Sequence, residues 1–164
     1  MADALVGDGI AVLADQLVRE LAARHVTVAT CESLTGGLIG AAITSIGGSS
    51  AVYRGGFITY ASELKSQWAG VDAELIARDG VINAATAEQM AQGTRVAAGA
   101  DLCVSCTGVA GPDPQDGAAP GTVWIACATA GGTRSSLLEL SGNRGAVREQ
   151  TVLAALRLLL EELD

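Results

Sequence analysis

Lys65 is the only lysine in the chain; the other nine Lys and Arg residues are Arg19, Arg24, Arg54, Arg78, Arg95, Arg134, Arg144, Arg148 and Arg157. The difference matters chemically. An amine can act as a base when burial or neighbouring positive charge lowers its pKa. A guanidinium stays protonated and cannot. A serine nucleophile needs such a base, and Ser33 is a candidate. The usual partner is histidine, but the single histidine, His25, lies between a polar helix end and a strand. It reads as a surface or cap residue, so a Ser-His-Asp triad is not supported. The competing reading of Lys65 is a solvated helix residue that happens to be lysine.

Three further stretches could hold a substrate. Glu32-Ser33-Leu34-Thr35-Gly36-Gly37 falls at a strand-to-helix turn. Glycines there let a ligand approach the backbone, and a helix N-terminus offers free N–H groups and partial positive charge. Such a place suits a phosphate or the oxyanion of an acyl transfer. The simpler reading is that Ser33 or Thr35 caps the helix. The stretch is neither G-x-S-x-G nor a P-loop. Thr107-Gly108-Val109-Ala110-Gly111-Pro112 follows a strand, where α/β domains bind ligands; otherwise it is an ordinary Gly/Pro turn. Ser141-Gly142-Asn143-Arg144 opens the last helix. Arg144 there could grip a phosphate or carboxylate in bidentate fashion, or stand exposed beside a cap.

The elements that must position these residues follow from periodicity. Ile10, Leu13, Leu17 and Leu21 line one face of a predicted helix from Asp8 to Arg24. Val26–Thr30 reads as a strand, Leu38–Ile46 as a helix and Tyr53–Tyr60 as a strand. Short helices are predicted over Ser62–Trp68, capped by Ser62, and over Val71–Arg78. Thr86 with Gln89 reads as a capping box opening a helix to Ala98. Leu102–Cys106 is an apolar strand, followed by a loop that holds all three prolines; long loops in compact domains are often functional. Thr122–Thr129 and Thr133–Leu140 form a predicted hairpin across Gly131-Gly132. The final helix runs from about Gly145 to Leu163. Helices alternating with buried strands imply a three-layer α/β/α sandwich around a central, mostly parallel or mixed sheet. No repeat or linker divides residues 1–164, so one domain is expected. Strand order cannot be read.

Composition narrows the function. The 164 residues are 49% hydrophobic and 17% charged, with a net charge of −8. The arginines are scattered, so no basic patch marks a nucleic-acid interface. The N-terminus carries Asp3 and Asp8 and no basic start, unlike a secretory signal. The apolar run near Leu153–Leu160 is broken by Arg157 and is too short to span a membrane. A soluble, cytoplasmic protein is expected. Cys31, Cys103, Cys106 and Cys127 sit in apolar, strand-like contexts and read as buried structural thiols. Cys103 and Cys106 form a C-x-x-C without the second ligand pair of a metal site or the helix start of a redox motif.

Taken in order, these stretches resemble the C-terminal domain of the CinA family, the nicotinamide-nucleotide amidases. The likeness runs from about Val26 to Leu160. The family pattern E-S-x-T-G-G appears as Glu32 to Gly37, and G-S-S-A-x-x-x-G-G-x-x-T-Y as Gly48 to Tyr60. Y-S-N-E-x-K appears as Tyr60 to Lys65, T-G-I-A-G-P as Thr107 to Pro112, and G-T-V as Gly121 to Val123. G-D-R appears as Gly142-Asn143-Arg144. The resemblance implies deamidation of nicotinamide mononucleotide to nicotinic acid mononucleotide and ammonia, in pyridine-nucleotide recycling. It implies Ser33 as nucleophile, Lys65 as base and Tyr60 assisting proton transfer. Thr107 and Arg144 would bind substrate, as would Thr35, Gly36, Gly37 and Gly108 in their two turns. The Gly36-Gly37 amides would stabilise the oxyanion and Arg144 would hold the phosphate. No metal or other cofactor is implied, and a homo-oligomer fits.

The sequence departs from the family pattern at Leu34, where cysteine is usual, at Ser62, where asparagine is common, and at Asn143, where aspartate is common. Ala118-Ala119 precedes Pro120 where the family has lysine. Longer members carry an additional N-terminal nucleotide-binding domain; a stand-alone amidase is expected here. Two rivals remain at this level: a non-catalytic regulatory domain, and an amidase or esterase for another small amide.

Overall fold

The computed structural model of the chain describes residues 2–164, with side chains described from Gly7 onward; Asp3 therefore lies outside the described side chains. Among the described residues six α-helices and five strands follow in chain order, with one 3-10 turn (Ser49–Ala51) before β2: α1 (Ala2–Arg24), β1 (Val28–Glu32), α2 (Leu38–Thr44), β2 (Tyr53–Ile58), α3 (Ser62–Gln67), α4 (Ala73–Asp79), α5 (Ala84–Ala98), β3 (Leu102–Gly108), β4 (Thr122–Thr129), β5 (Gly132–Glu139) and α6 (Arg144–Glu161). The strands form one sheet in the order β2-β1-β3-β4-β5. β2, β1 and β3 run parallel; β4 runs antiparallel to β3, and β5 antiparallel to β4. The sheet is mixed, as expected for a three-layer α/β/α sandwich.

Central β1 and β3 are buried along nearly their whole length because both faces are covered, as parallel strands in such sheets require. On one face α1, α2 and α6 pack Leu17, Leu21, Ile39, Ile43, Leu156 and Leu159 against Val28, Val104 and Cys106. The other face carries Met90 of α5 with Leu75, Val71 and Ala69 against Ala29, Cys31 and Cys103. Among the described residues no helix is long and apolar enough to cross a membrane.

Most predicted elements form where expected, and the differences have local causes. β1 continues two residues beyond Thr30, because Cys31 and Glu32 pair with both Phe57 and Ile58 of β2 and Ser105 and Cys106 of β3. The cap of α3 is Ala61, with no side-chain cap, rather than Ser62. The predicted Thr86 capping box does not form. Asn83 caps α5 by accepting from Thr86 N–H, and Gln89 accepts instead from Asp72 N–H. Asp72 in turn caps α4. The hairpin turns at Ala130-Gly131, with Gly132 already in β5 opposite Thr129. His25 follows α1 as an exposed, left-handed residue (φ 55°), which is a helix-stop position.

Candidate active site

β1, β2 and β3 all end on the same side of the sheet, where the residues after each strand meet. Such carboxyl ends are where open α/β sheets bind ligands. Ser33 follows β1, and its N–H donates to Cys106 O at 3.2 Å, extending the β1–β3 ladder by one bond. The chain then turns: Gly36 N–H donates back to Ser33 O at 3.0 Å. Gly36 (φ 61°) and Gly37 (φ 102°) are left-handed, and a Cβ on Gly37 would press on Ile58. These glycines are therefore required by the turn itself.

Thr59 follows β2, and its N–H donates to Glu32 O. Helix α3 then carries Lys65 back beneath the turn. Lys65 is 1% exposed. Its Nζ donates to Thr59 O at 2.7 Å and lies 3.1 Å from Ser33 Oγ. No carboxylate forms an ion pair with it among the described residues. Burial lowers its pKa below the ordinary lysine value, because removing water penalises the ammonium form. Ser33 and Lys65 thus meet as a buried hydroxyl–amine pair.

The pair faces a cavity also lined by Leu34, Tyr60, Val81, Thr107, Gly108, Val109, Ala110, Gly111, Asp113, Gln115 and Arg144. Arg144, the first residue of α6, donates from Nη1 to Gly111 O and from Nη2 to the Tyr60 hydroxyl, each at 2.8 Å. Tyr60 is 58% exposed. Its hydroxyl accepts from Arg144 and makes no hydrogen bond to Ser33 or Lys65, so the two residues form a polar rim above the buried pair. Asn143 caps α6 by accepting from Ala146 N–H; this departure from aspartate keeps the capping role.

Several residues singled out in the sequence have other work. Thr107 is fully buried, and its hydroxyl donates to Val81 O at 2.7 Å, fixing an apolar part of the cavity wall. Gly108 lies in β3, where a Cβ would strike Thr122 O and Val123 of β4, so the strand pairing itself demands glycine. The Thr35 hydroxyl donates to Glu32 at 2.7 Å. The Gly37 amide donates to Glu32 Oε2 at 3.0 Å, and the Gly36 amide is held by Ser33 O. The helix-start amides assigned to the oxyanion are therefore already occupied.

Two neighbours were missed. Glu32 is 1% exposed and accepts from the Thr35 hydroxyl and from the amides of Gly37, Ile39 and Gly40. It fills the N-terminus of α2 with its own charge. An acidic residue just before a helix start was the available signal. Arg148 donates from Nε to Leu34 O at 3.0 Å and from Nη2 to Thr35 O at 2.9 Å. Its spacing of four from Arg144 places both on one face of α6. Among the described residues no three His, Cys, Asp or Glu side chains gather as metal ligands.

Known proteins share this arrangement of elements. The profile described as the CinA C-terminal domain matches residues 10–163. The nicotinamide-nucleotide amidohydrolase PncC of Escherichia coli (strain K12) is 44% identical over 152 residues, covering 92% of this chain and 92% of its own length. A relative from Levilactobacillus brevis is 43% identical over 153 residues, 93% of this chain. The chain spans 37% of that longer protein, whose name speaks of competence and damage rather than of an activity. The crystal structure of a competence-damaged protein (CinA) superfamily protein from Klebsiella pneumoniae 700603 superposes with a TM-score of 0.91 at 33% identity, covering 94% of this chain and 97% of that one. The chain belongs to the CinA C-terminal domain family.

Proposed function

We propose that this chain is a metal-independent amidohydrolase that converts nicotinamide mononucleotide to nicotinic acid mononucleotide and ammonia through an acyl-enzyme on Ser33. The observation that carries the reading is the lone lysine, buried with no ion-pair partner among the described residues and 3.1 Å from Ser33 Oγ. The E. coli relative named for this activity supports the choice of substrate.

Burial disfavours the ammonium form of Lys65, and one N–H is engaged by Thr59 O. In the neutral form its lone pair takes the Ser33 proton. Ser33 Oγ attacks the carboxamide carbon, and the carbonyl oxygen becomes an oxyanion. Collapse breaks the C–N bond as the Lys65 ammonium returns its proton to the departing nitrogen, which leaves as ammonia. Water then attacks the ester carbonyl, giving its proton to Lys65. The ester bond breaks, the acid leaves, and Ser33 Oγ recovers the proton. Arg144 and Tyr60 at the rim bind the mononucleotide's phosphate, since a guanidinium suits a phosphate by charge and geometry.

Ammonia release from nicotinamide mononucleotide by the purified protein tests this, with Ser33→Ala, Lys65→Arg and plain nicotinamide run beside it. Both variants are expected to lose on the order of 10³-fold or more in kcat while keeping the wild-type fold by circular dichroism. Plain nicotinamide should be the poorer substrate. Wild-type turnover retained in Lys65→Arg would remove the lysine from the mechanism. A well-folded wild type without turnover would point to another amide or to a binding domain.

A further inference from the structure

We propose that Glu32 and Arg148 are positioning residues that clamp the Ser33 turn from its two ends, leaving the Leu34 amide as the oxyanion donor. This rests on the reading of Ser33 as nucleophile. The polar backbone groups of the turn can be followed one at a time, since buried ones need partners. Ser33 N–H is held by Cys106 O, and Ser33 O by Gly36 N–H. The Gly37 amide goes to Glu32. The Leu34 and Thr35 carbonyls both go to Arg148. Among the described residues the amides of Leu34 and Thr35 donate to no protein oxygen; that of Thr35 faces the Cys106 sulfur, whereas Leu34 lines the cavity beside Ser33.

An amide directly after a nucleophile is a productive donor for a tetrahedral intermediate, provided its peptide plane is fixed beforehand. Two grips fix it here. Glu32 takes up the start of α2 and so excludes an outside anion from those amides. Arg148 holds two successive carbonyls with two nitrogens of one planar group, which a lysine's single ammonium cannot reproduce. Neither side chain contacts the space above Ser33: Glu32 is buried behind the turn, and Arg148 is not among the cavity-lining residues. Their effect on rate therefore passes through the turn.

The test uses the purified full chain with Arg148→Lys, Arg148→Met and Glu32→Gln. Two rates are read: ammonia release from nicotinamide mononucleotide, and labelling of Ser33 by a fluorophosphonate probe followed by intact mass. In the labelling step the Ser33 Oγ–P bond forms, P–F breaks, fluoride leaves and Lys65 takes the proton. Labelling needs no nucleotide recognition, so a wild type that labels but does not deamidate would sink the substrate assignment while still testing the clamp. For Arg148→Met we expect both rates to fall about 10²-fold, the cost of a small misplacement at a reacting centre. KM should stay within a few-fold of wild type. Arg148→Lys should fall between the two, and guanidinium at tens of millimolar should restore part of the Arg148→Met rate. Glu32→Gln should slow labelling more weakly, because it keeps the shape and loses charge. Unchanged labelling in Arg148→Met would overturn the proposal. So would a raised KM at unchanged kcat, which would make Arg148 a substrate contact. A loss that neither lysine nor guanidinium relieves would reduce Arg148 to a fold-stabilising residue.

Discussion

At Lys65 an amine has lost water without gaining an acid. Its hydrogen-bonding neighbours are a carbonyl, Thr59 O, and a hydroxyl, Ser33 Oγ, and the pull of Asp116 and Glu63 is smaller than the cost of burying the ammonium. This gives a sign for stability as well as for catalysis. Because the folded-state pKa is lowered by burial, the unfolded chain binds more protons between that pKa and the ordinary lysine value of about 10.4. The contribution of Lys65 to stability therefore rises with pH across that window. Lys65→Met keeps the aliphatic stem and removes the titration. Urea unfolding of both proteins between pH 6 and 10 should show the wild type gaining on the variant as pH increases. A pH-independent difference would mean that the lysine is charged in the folded state. Ser33 and Lys65 stood out in the sequence as a serine at a glycine-rich strand-to-helix turn and a lone lysine among arginines, each beside a plainer reading as a cap or a solvated residue; the resemblance to the CinA family paired them, and the fold brings them within 3.1 Å. Arg148 was not, because its partners lie 114 and 113 residues away and no local pattern records such a contact.

The elements matter for how they hold α3, the carrier of Lys65. Val71 N–H donates to Lys65 O, and the following segment packs Ala69 and Val71 into the core beneath α5. Gly93 makes that packing possible, since a Cβ there would fall within the contact distance of Ala69 O, a backbone atom that cannot rotate away. Gly93→Ala is expected to cost about 2 kcal/mol, as overpacking commonly does, which lowers Tm by about 4–8 °C for a chain of this length. An unchanged Tm in a thermal melt would mean that α5 lifts from α3 freely. Helices and strands were readable from periodicity, yet their caps were often misplaced. Thr86 has a capping residue's chemistry but lies one turn inside α5, where Asn83 does the capping. Side-chain type identifies a residue able to cap; the position of the turn before it decides which one does.

Across the whole molecule, the sheet separates the four cysteines by face and keeps all of them from reacting. Cys106 and Cys127 belong to the core under α1, α2 and α6, while Cys31 and Cys103 belong to the core under α5. Successive strand residues point to opposite faces, so Cys103 and Cys106, three apart in β3, are on opposite sides of the sheet. The C-x-x-C spacing therefore cannot become a disulfide. Strand order decides this geometry, and it was hidden in the sequence because β1 pairs with β3 across α2, β2 and the whole α3–α5 crossover. Burial raises every thiol pKa, to about 12 at both Cys106 and Cys127. Thiol reagents need an accessible thiolate, and here both conditions fail. This also favours serine chemistry: Cys106 lies 3.1 Å from the Thr35 hydroxyl, close to the reacting centre, yet is held as a thiol. A disulfide-exchange reagent at pH 8 should titrate almost no thiol in the native protein and all four in denaturant. The native reaction should proceed at the rate of unfolding. Iodoacetamide under native conditions should leave turnover intact. Rapid modification of one cysteine with loss of turnover would mean that one face of the sheet opens on its own and that the site depends on it.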